Sequence, residues 1–216
     1  MFGGIVSELG HVLEVPAPGS GRLLVGHPPG WARLEIGDSV AVNGCCLTAV
    51  AVSPGTFATE VMPETMRRTA LGSLEVGAPV NLEAALALQG AVGGHLVSGH
   101  VDAVGEVRDR WEEGNAVGIR LLAPAEVARY CVPQGSIAVD GCSLTLVSVA
   151  DQADGSALLE VSLIPHTVKN TVASRYRCGF RVNLEADLIA KLVERLTAPH
   201  LIRQVGDRPA EGPRCR

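Results

Sequence analysis

Residues 39–48 read SVAVNGCCLT, and residues 136–145 read SIAVDGCSLT. Seven of these ten positions are identical, and Val40/Ile137 and Asn43/Asp140 are close in kind. Matches continue in the same order on both sides. GIVSELGHV at 4–12 aligns with GHVDAVGEV at 99–107, MPETMRRT at 62–69 with IPHTVKNT at 164–171, and PVNLEAAL at 79–86 with RVNLEADL at 181–188. The separation grows slowly from 95 to 102 residues, as small insertions in turns would produce. The chain is therefore read as a tandem duplication of a unit of about 95 residues, with its join near 92–96. A period this long means two copies of a domain, not a solenoid.

Each unit carries strand signals. SVAVNG and LTAVAV alternate or run apolar over four to six residues rich in Val and Thr. Asn43-Gly44 and Asp140-Gly141 are the strongest hairpin signals, and further Gly, Pro and Asp clusters punctuate the rest. Short strands with no long helical period predict an all-β fold, a small antiparallel barrel or sandwich in each copy. Closure into a barrel would remove exposed edges from so Val-rich a chain. Short helices are expected at 63–70 and 165–172, where Pro sits near a first turn. After residue 186 the pattern changes. Asp187 is placed to cap LIAKLVERL, whose Leu188, Leu192 and Leu196 lie four apart beside Ile189 and Val193. That stripe reads as docking onto a barrel or pairing with other subunits, with packing on its own chain as the alternative. The polar segment 201–216 reads as a disordered tail.

Composition narrows the function. The 216 residues are 47% hydrophobic and 19% charged, with a net charge of −5, so the chain is globular and has no basic field for a phosphate backbone. Aromatics at 3% leave few platforms for stacking single-stranded bases. No apolar run approaches a membrane span. MFGGIVSELG has no basic segment before an apolar stretch, so no signal peptide is expected and a reducing cytoplasm is. Neither nucleic acid nor a membrane is expected as a partner. The six cysteines form no C-x-x-C pair and, Cys46 apart, read as small buried hydrophobes.

The informative positions are those where the copies differ, since a structural constraint would keep them alike. Cys46 corresponds to Ser143, Ile5 to His100, and Glu64 to His166. Cys46 follows the Asn43-Gly44 turn, where its thiol is expected to point into a barrel mouth. It is a nucleophile if its surroundings favour the thiolate, and a buried small side chain otherwise. His100, in HLVSGHVD, is placed either to move a proton near neutral pH or to order a ligand. His95 reads as structural, or as a hydrogen-bonding residue at the join, and His11, His27 and His200 as surface positions. Ser39/Ser136, Thr48/Thr145, Thr65/Thr167 and Thr69/Thr171 recur in register. They fit a hydroxyl-rich, uncharged ligand, or are ordinary turn and strand residues.

Taken together, MFGGIV at 1–6, SVAVNGCCLT, MPETMRRT, GGHLVSGHVD at 93–102, SIAVDGCSLT, LIPHTVKNT at 163–171 and VNLEADLIAKLVERL at 182–196 resemble the riboflavin synthase family, built from two lumazine-binding repeats. The resemblance covers residue 1 to about 197. It implies two tandem six-stranded Greek-key β-barrels plus a C-terminal helix: barrels at 1–94 and 95–186, an oligomerisation helix at 187–200 and a homotrimer. It implies a transferase that dismutates 6,7-dimethyl-8-ribityllumazine to riboflavin and a ribitylamino-pyrimidinedione by four-carbon transfer, with no metal or redox cofactor. Lumazine synthase is a further partner to consider.

By the same resemblance, the first lumazine is held by Gly4, Ile5 and Val6, by Cys46, Leu47 and Thr48, and by Glu60, Val61, Met62, Pro63, Glu64 and Thr65. The second is held by Gly99, His100 and Val101, by Ser143, Leu144 and Thr145, and by Ser162, Leu163, Ile164, Pro165, His166 and Thr167. Cys46 and His100 are implied as the proton-transferring or activating groups, Ser143 and Thr145 as orienting the second ring, and Asp187 as assisting. The chain departs from the family pattern at Gly3, Ala84, Leu192 and Gln134. Gln134 stands where a lysine usually reaches the neighbouring subunit's ligand. A lumazine or flavin carrier without turnover, and an enzyme acting on a related pteridine, are the alternative readings.

Overall fold

A computed structural model describes residues 1–15, 21–87 and 89–204, with no account of the side chains of 198–204. The first repeat forms β1 (Glu8–Glu14), β2 (Arg22–Gly26), β3 (Ser39–Val42), β4 (Cys45–Ser53), β5 (Thr56–Glu60), α1 (Pro63–Arg68) and β6 (Pro79–Ala84). The second forms β7 (Ala103–Glu113), β8 (Ala116–Ala123), α2 (Ala125–Ala128), β9 (Ser136–Val139), β10 (Cys142–Asp151), β11 (Ala157–Leu163), α3 (Pro165–Asn170) and β12 (Arg181–Ala186). Each set closes into a six-stranded antiparallel barrel. The orders β1-β2-β5-β4-β3-β6 and β7-β8-β11-β10-β9-β12 are the same topology, a Greek key in which the second strand pairs with the fifth.

The short helices fall where Pro63 and Pro165 occupy first-turn positions. Each is followed by a 3-10 turn, Ala70–Ser73 or Val172–Arg175. Thr69 and Thr171 cap these turns by accepting the amides of Leu71 and Ala173, so their recurrence is architectural. Helix α2 has no counterpart in the first repeat and was not expected from the sequence. Helix α4 runs Leu188–Gln204, four residues into the segment expected as a tail. Residues 205–216, Cys215 among them, lie outside the described residues.

Side chains fill both barrels. Leu23, Phe57 and Leu82 are buried in the first, and Ile119, Leu146 and Leu184 in the second. Each such residue contributes roughly 1.5–3 kcal/mol. The cysteine reading holds for Cys45, whose thiol burial pushes up to about 12, while Cys131 and Cys142 are half-buried, with thiols pushed up to about 11 and 12. Cys178 is exposed, contrary to expectation. His27 is buried as well, not on the surface. Its ring packs edge-on to Trp31 and beside Phe57.

The barrels pack back to back about a pseudo-twofold axis. On it meet the hairpin turns, with positive φ at Asn43, Gly44, Asp140 and Gly141. A Cβ on Gly44 would lie 2.6 Å from the Gly141 nitrogen, and one on Gly141 2.8 Å from the Gly44 nitrogen, so glycine serves both the turn and the approach. Two asparagines of the repeated VNLE latch the barrels together. Asn81 Nδ2 donates to the Asp140 carbonyl and its Oδ1 accepts the Val172 amide. Asn183 does the same for the Asn43 carbonyl and the Ala70 amide.

Candidate active site

Strand alternation decides where the chemistry sits. Along β4, Cys45, Leu47 and Ala49 point into the barrel, while Cys46, Thr48 and Val50 point outward. On β10, Leu146 is buried in the core while Ser143, Thr145 and Val147 follow the outer face. The expectation that Cys46 points into a barrel mouth is therefore corrected. The interior is full, and Cys46, Ser143 and Thr145 lie on the outside wall.

A second correction concerns which segment meets which wall. The strand-free stretch before each barrel crosses to the other one. The Gly4 carbonyl accepts the Ser143 amide at 2.7 Å, and the Gly99 carbonyl accepts the Cys46 amide at 2.8 Å. Phe2 and Val97 pair in an antiparallel bridge between the two crossings. So Gly4, Ile5 and Val6 join Ser143 in the second barrel, while Gly99, His100 and Val101 join Cys46 in the first. The grouping expected from sequence is exchanged. Gly4 (φ 70°) and Gly99 (φ 82°) adopt left-handed backbone, and a Cβ would lie 2.7 Å from Ser143 Cβ or 2.6 Å from Cys46 Cβ. No side chain fits at either glycine.

The glutamates of the two VNLE sequences hold these crossings from the opposite side. Glu83 Oε1 accepts the Gly3 amide at 2.7 Å. Burial pushes its carboxyl up, and the Gly3, Gly4 and Ile5 amides pull it partly back. Glu185 Oε1 accepts both the amide and the hydroxyl of Ser98 at 2.7 Å, and Oε2 accepts the Gly99 amide at 3.0 Å. Each crossing is thus gripped by its own barrel's glutamate and by the other barrel's strand.

At the first site a cavity of about 370 Å³ is lined by Cys46, Glu64, Thr65, Arg68, His100 and Asp102, among others. Cys46 is its half-buried thiol. The neighbouring Cys45 lies deeper, and burial opposes its ionisation. Glu64 pairs with Arg67 at 2.5 Å and Arg68 at 3.8 Å. Hydrogen bonding and charge from Arg67 hold its carboxyl below the usual range. At the second site Ser143 Oγ lies 2.7 Å from His95 Nδ1. Burial pulls the His95 imidazole down, opposed by the Asp187 and Glu185 carboxylates. A neutral ring protonated on Nε2 would accept the Ser143 hydroxyl proton. Its Nε2 is buried without a partner. Asp187 also caps α4, accepting the Ile189 amide at 2.9 Å.

Thr48, Glu60, Met62, Pro63, Thr145, Ser162, Ile164, Pro165 and His166 lie exposed on the two outer walls, and Thr65 and Thr167 are half-buried beside them. Leu47, Val61 and Leu163 face the cores, and half-buried Leu144 packs against one. Only their backbones can reach a ligand. Gln134 is exposed with φ 64°, where the first repeat has Gly37. Sequence reading missed Glu83, Glu185 and the His95–Ser143 pair. The signal for the first two was VNLEA, identical in both copies at positions that no turn or core requirement explained.

The model of the lumazine binding domain matches residues 3–85 and 98–187. A riboflavin synthase of Mycobacterium bovis is 49% identical over 199 residues, 91% of this chain and 98% of that one. One of Actinobacillus pleuropneumoniae is 37% identical over 210 residues, covering 97% and 94%. Among solved structures, LumP complexed with riboflavin superposes with a TM-score of 0.73 at 22% identity, covering 86% of this chain and 99% of LumP. LumP complexed with 6,7-dimethyl-8-(1'-D-ribityl) lumazine gives 0.71. These two speak to the fold alone.

Proposed function

The chain belongs to the riboflavin synthase family, built on the lumazine binding domain, and from that premise we propose that it converts two molecules of 6,7-dimethyl-8-ribityllumazine into riboflavin and 5-amino-6-ribitylamino-pyrimidinedione. The observation that carries this reading is the pair of equivalent outer walls, each completed by a crossing segment, with different chemistry on each: Cys46 and His100 on one, Ser143 and His95 on the other. Two identical substrates with opposite fates need two similar pockets that do not act alike.

The reaction balances without an oxidant. One lumazine gives a four-carbon unit to the other, and the electrons stay within the pair. The C7 methyl of a lumazine is acidic because the ring delocalises the anion. His100 takes that proton, and the carbanion attacks the second lumazine, activated at C7 by addition of water or a side-chain nucleophile. Ser143, with His95 behind it, and Thr145 orient that second ring. Exposed hydroxyls along both walls suit ribityl chains. Holding the rings face to face supplies proximity worth about 7–11 kcal/mol of barrier.

The two substrates are brought together by subunit pairing. Around the first site Ile36, Val50 and Met62 are 72%, 40% and 69% exposed, and around the second Val132, Val147 and Ile164 are 59%, 58% and 60% exposed. Two matching apolar collars favour apposition of one subunit's first barrel on another's second. Helix α4 supports the same reading. It docks its polar side on its own barrel, through Lys191 to Asp102 at 2.5 Å and Glu194 to Arg129 and Tyr130. Ile189, Leu192, Val193 and Leu196 are left exposed, as a trimer joined through these helices requires.

The test mixes purified chain with the lumazine in the dark and follows products by absorbance and chromatography. Equimolar riboflavin and pyrimidinedione are expected. Binding without product would replace this reading with a carrier, and another product with a diverted enzyme. His100→Ala should lower kcat more than it weakens binding, and equal losses would remove its catalytic role.

A further inference from the structure

A groove of about 290 Å³ opens between the barrels on the pseudo-twofold axis, and its lining contains none of the reactive residues above. Its two walls are corresponding segments of the two repeats, so they can be compared position by position. Where the first wall has Ser73, Glu75 and Pro79, the second has Arg175, Arg177 and Arg181. Where the first has Ala78, the second has Phe180. The contact between the barrels does not need the arginines, since the first wall serves it without them, while Phe180 also packs against the second barrel's core and the Tyr176 ring.

The three arginines are exposed and uncompensated. Among the described residues no carboxylate lies within ion-pair distance of any of them. Arg181 stands across the strand pair from Glu106, but Glu106 is taken by Arg108 at 2.8 Å. Two carboxyls line the groove. Glu75 lies on the opposite wall, and Asp140 is turned inward to the Tyr176 hydroxyl and the Asn183 amide. In a chain of net charge −5, this wall carries three positive charges that no carboxylate among the described residues pairs with. Guanidinium forks match phosphate oxygens in pairs. Asn43 and Ser73 aside, the remaining lining is apolar: Phe180, with the Arg177 guanidinium 6.0 Å from its ring centroid, lines the groove together with Leu74 and Ala78.

We propose that this inter-barrel groove binds a phosphate ester of mononucleotide size, its phosphate on Arg175, Arg177 and Arg181 and its ring system against Phe180 and Leu74. The cavity is at the lower end of the range for small-molecule sites. Both chemical parts of the ligand are needed: the phosphate for the arginines, the flat apolar part for the opposite rim.

Calorimetric titration of the full chain at physiological salt tests this with adenosine monophosphate, adenosine and inorganic phosphate as probes. Adenosine monophosphate should bind once per chain with Kd below about 1 mM, and the other two at least about tenfold more weakly. Arg175→Ala with Arg177→Ala should weaken it at least about tenfold with melting and lumazine binding unchanged. Phe180→Ala should weaken adenosine monophosphate but not phosphate. Three results would overturn the proposal: no binding of adenosine monophosphate, phosphate binding as tightly as the ester (an adventitious ion only), or unchanged affinity in a folded double-arginine variant.

Discussion

Replacing Glu185 by Gln tests whether the crossing segment controls the chemistry. The carboxylate accepts three hydrogen bonds, two from Ser98 and one from the Gly99 amide, at 2.7–3.0 Å. Gln keeps the size but has one acceptor oxygen. Its amide nitrogen would face the Gly99 N–H, donor against donor, in a buried position. Losing one charge-assisted bond, stranding that N–H and weakening the other two bonds costs about 3 kcal/mol. For a chain of this length that lowers Tm by about 6–12 °C. The functional effect is larger than the stability effect alone implies. His100 follows Gly99 directly, and Gly99 is held otherwise by its carbonyl on the Cys46 amide. A shift of about 1 Å in a catalytic group can cost about a hundredfold in rate. Turnover assayed well below the variant's Tm should fall by about that factor, while lumazine binding at the Ser143 wall, followed by fluorescence, should hold. An unchanged Tm would refute the clamp. A lowered Tm with turnover within about twofold of wild type would refute the link from clamp to His100.

Three further outcomes follow from the same geometry. Asn183→Ala strands the buried Asn43 carbonyl and Ala70 amide and should cost about 2–4 kcal/mol in denaturant unfolding; a cost under about 1 kcal/mol would mean the latch does not hold the barrels. Burial raises Asp140 from its ordinary value to about 7, so the folded state binds its proton more tightly than the unfolded state. Its contribution is therefore full at low pH and is lost as pH rises from about 4 through about 7, by up to about 4 kcal/mol. Asp140→Asn, which copies Asn43 of the first repeat, should flatten that dependence in melts taken across this range. Gln134→Gly relieves a left-handed side-chain residue and should raise stability by about 0.5–1 kcal/mol, net of glycine's own entropy, while lowering lumazine affinity or turnover if the side chain reaches ligand.

Local chemistry was legible where it is set by neighbours in sequence. Asn43-Gly44 and Asp140-Gly141 announce tight hairpins, and Pro63 and Pro165 announce short helices. The duplication follows from the internal repeat and the strands from period-two alternation, which leaves barrel or sandwich open; the closed six-stranded barrels come from the family resemblance. Alternation says which residues share a face, but not which face is inside when both are small and apolar. CCLTAVAV gives no basis to choose, and only closure of the barrel sends Cys45 and Leu47 inward and Cys46 outward. The crossing of Gly4 to Ser143 and of Gly99 to Cys46 is a relation between the copies. Comparison of one copy with the other cannot reveal it, because the exchange is symmetric and leaves every matched pair matched.

That exchange also explains why the copies could diverge without separating. A cut at the join would leave Cys46 without the segment that carries His100, and Ser143 without Gly4 and Ile5. The first wall draws His100 from the second copy's leading segment, and the second wall draws Gly4 and Ile5 from the first copy's, so neither barrel holds its candidate site alone. Asn81 and Asn183 impose the same dependence on the fold, because each satisfies backbone groups of the opposite barrel. Changes that specialise one site, such as Ile5 against His100 or Cys46 against Ser143, therefore leave the shared scaffold untouched. The VNLE residues in both copies hold the crossings and the interface in place, whereas the outward residues that differ are free to split one binding site into two with unlike chemistry.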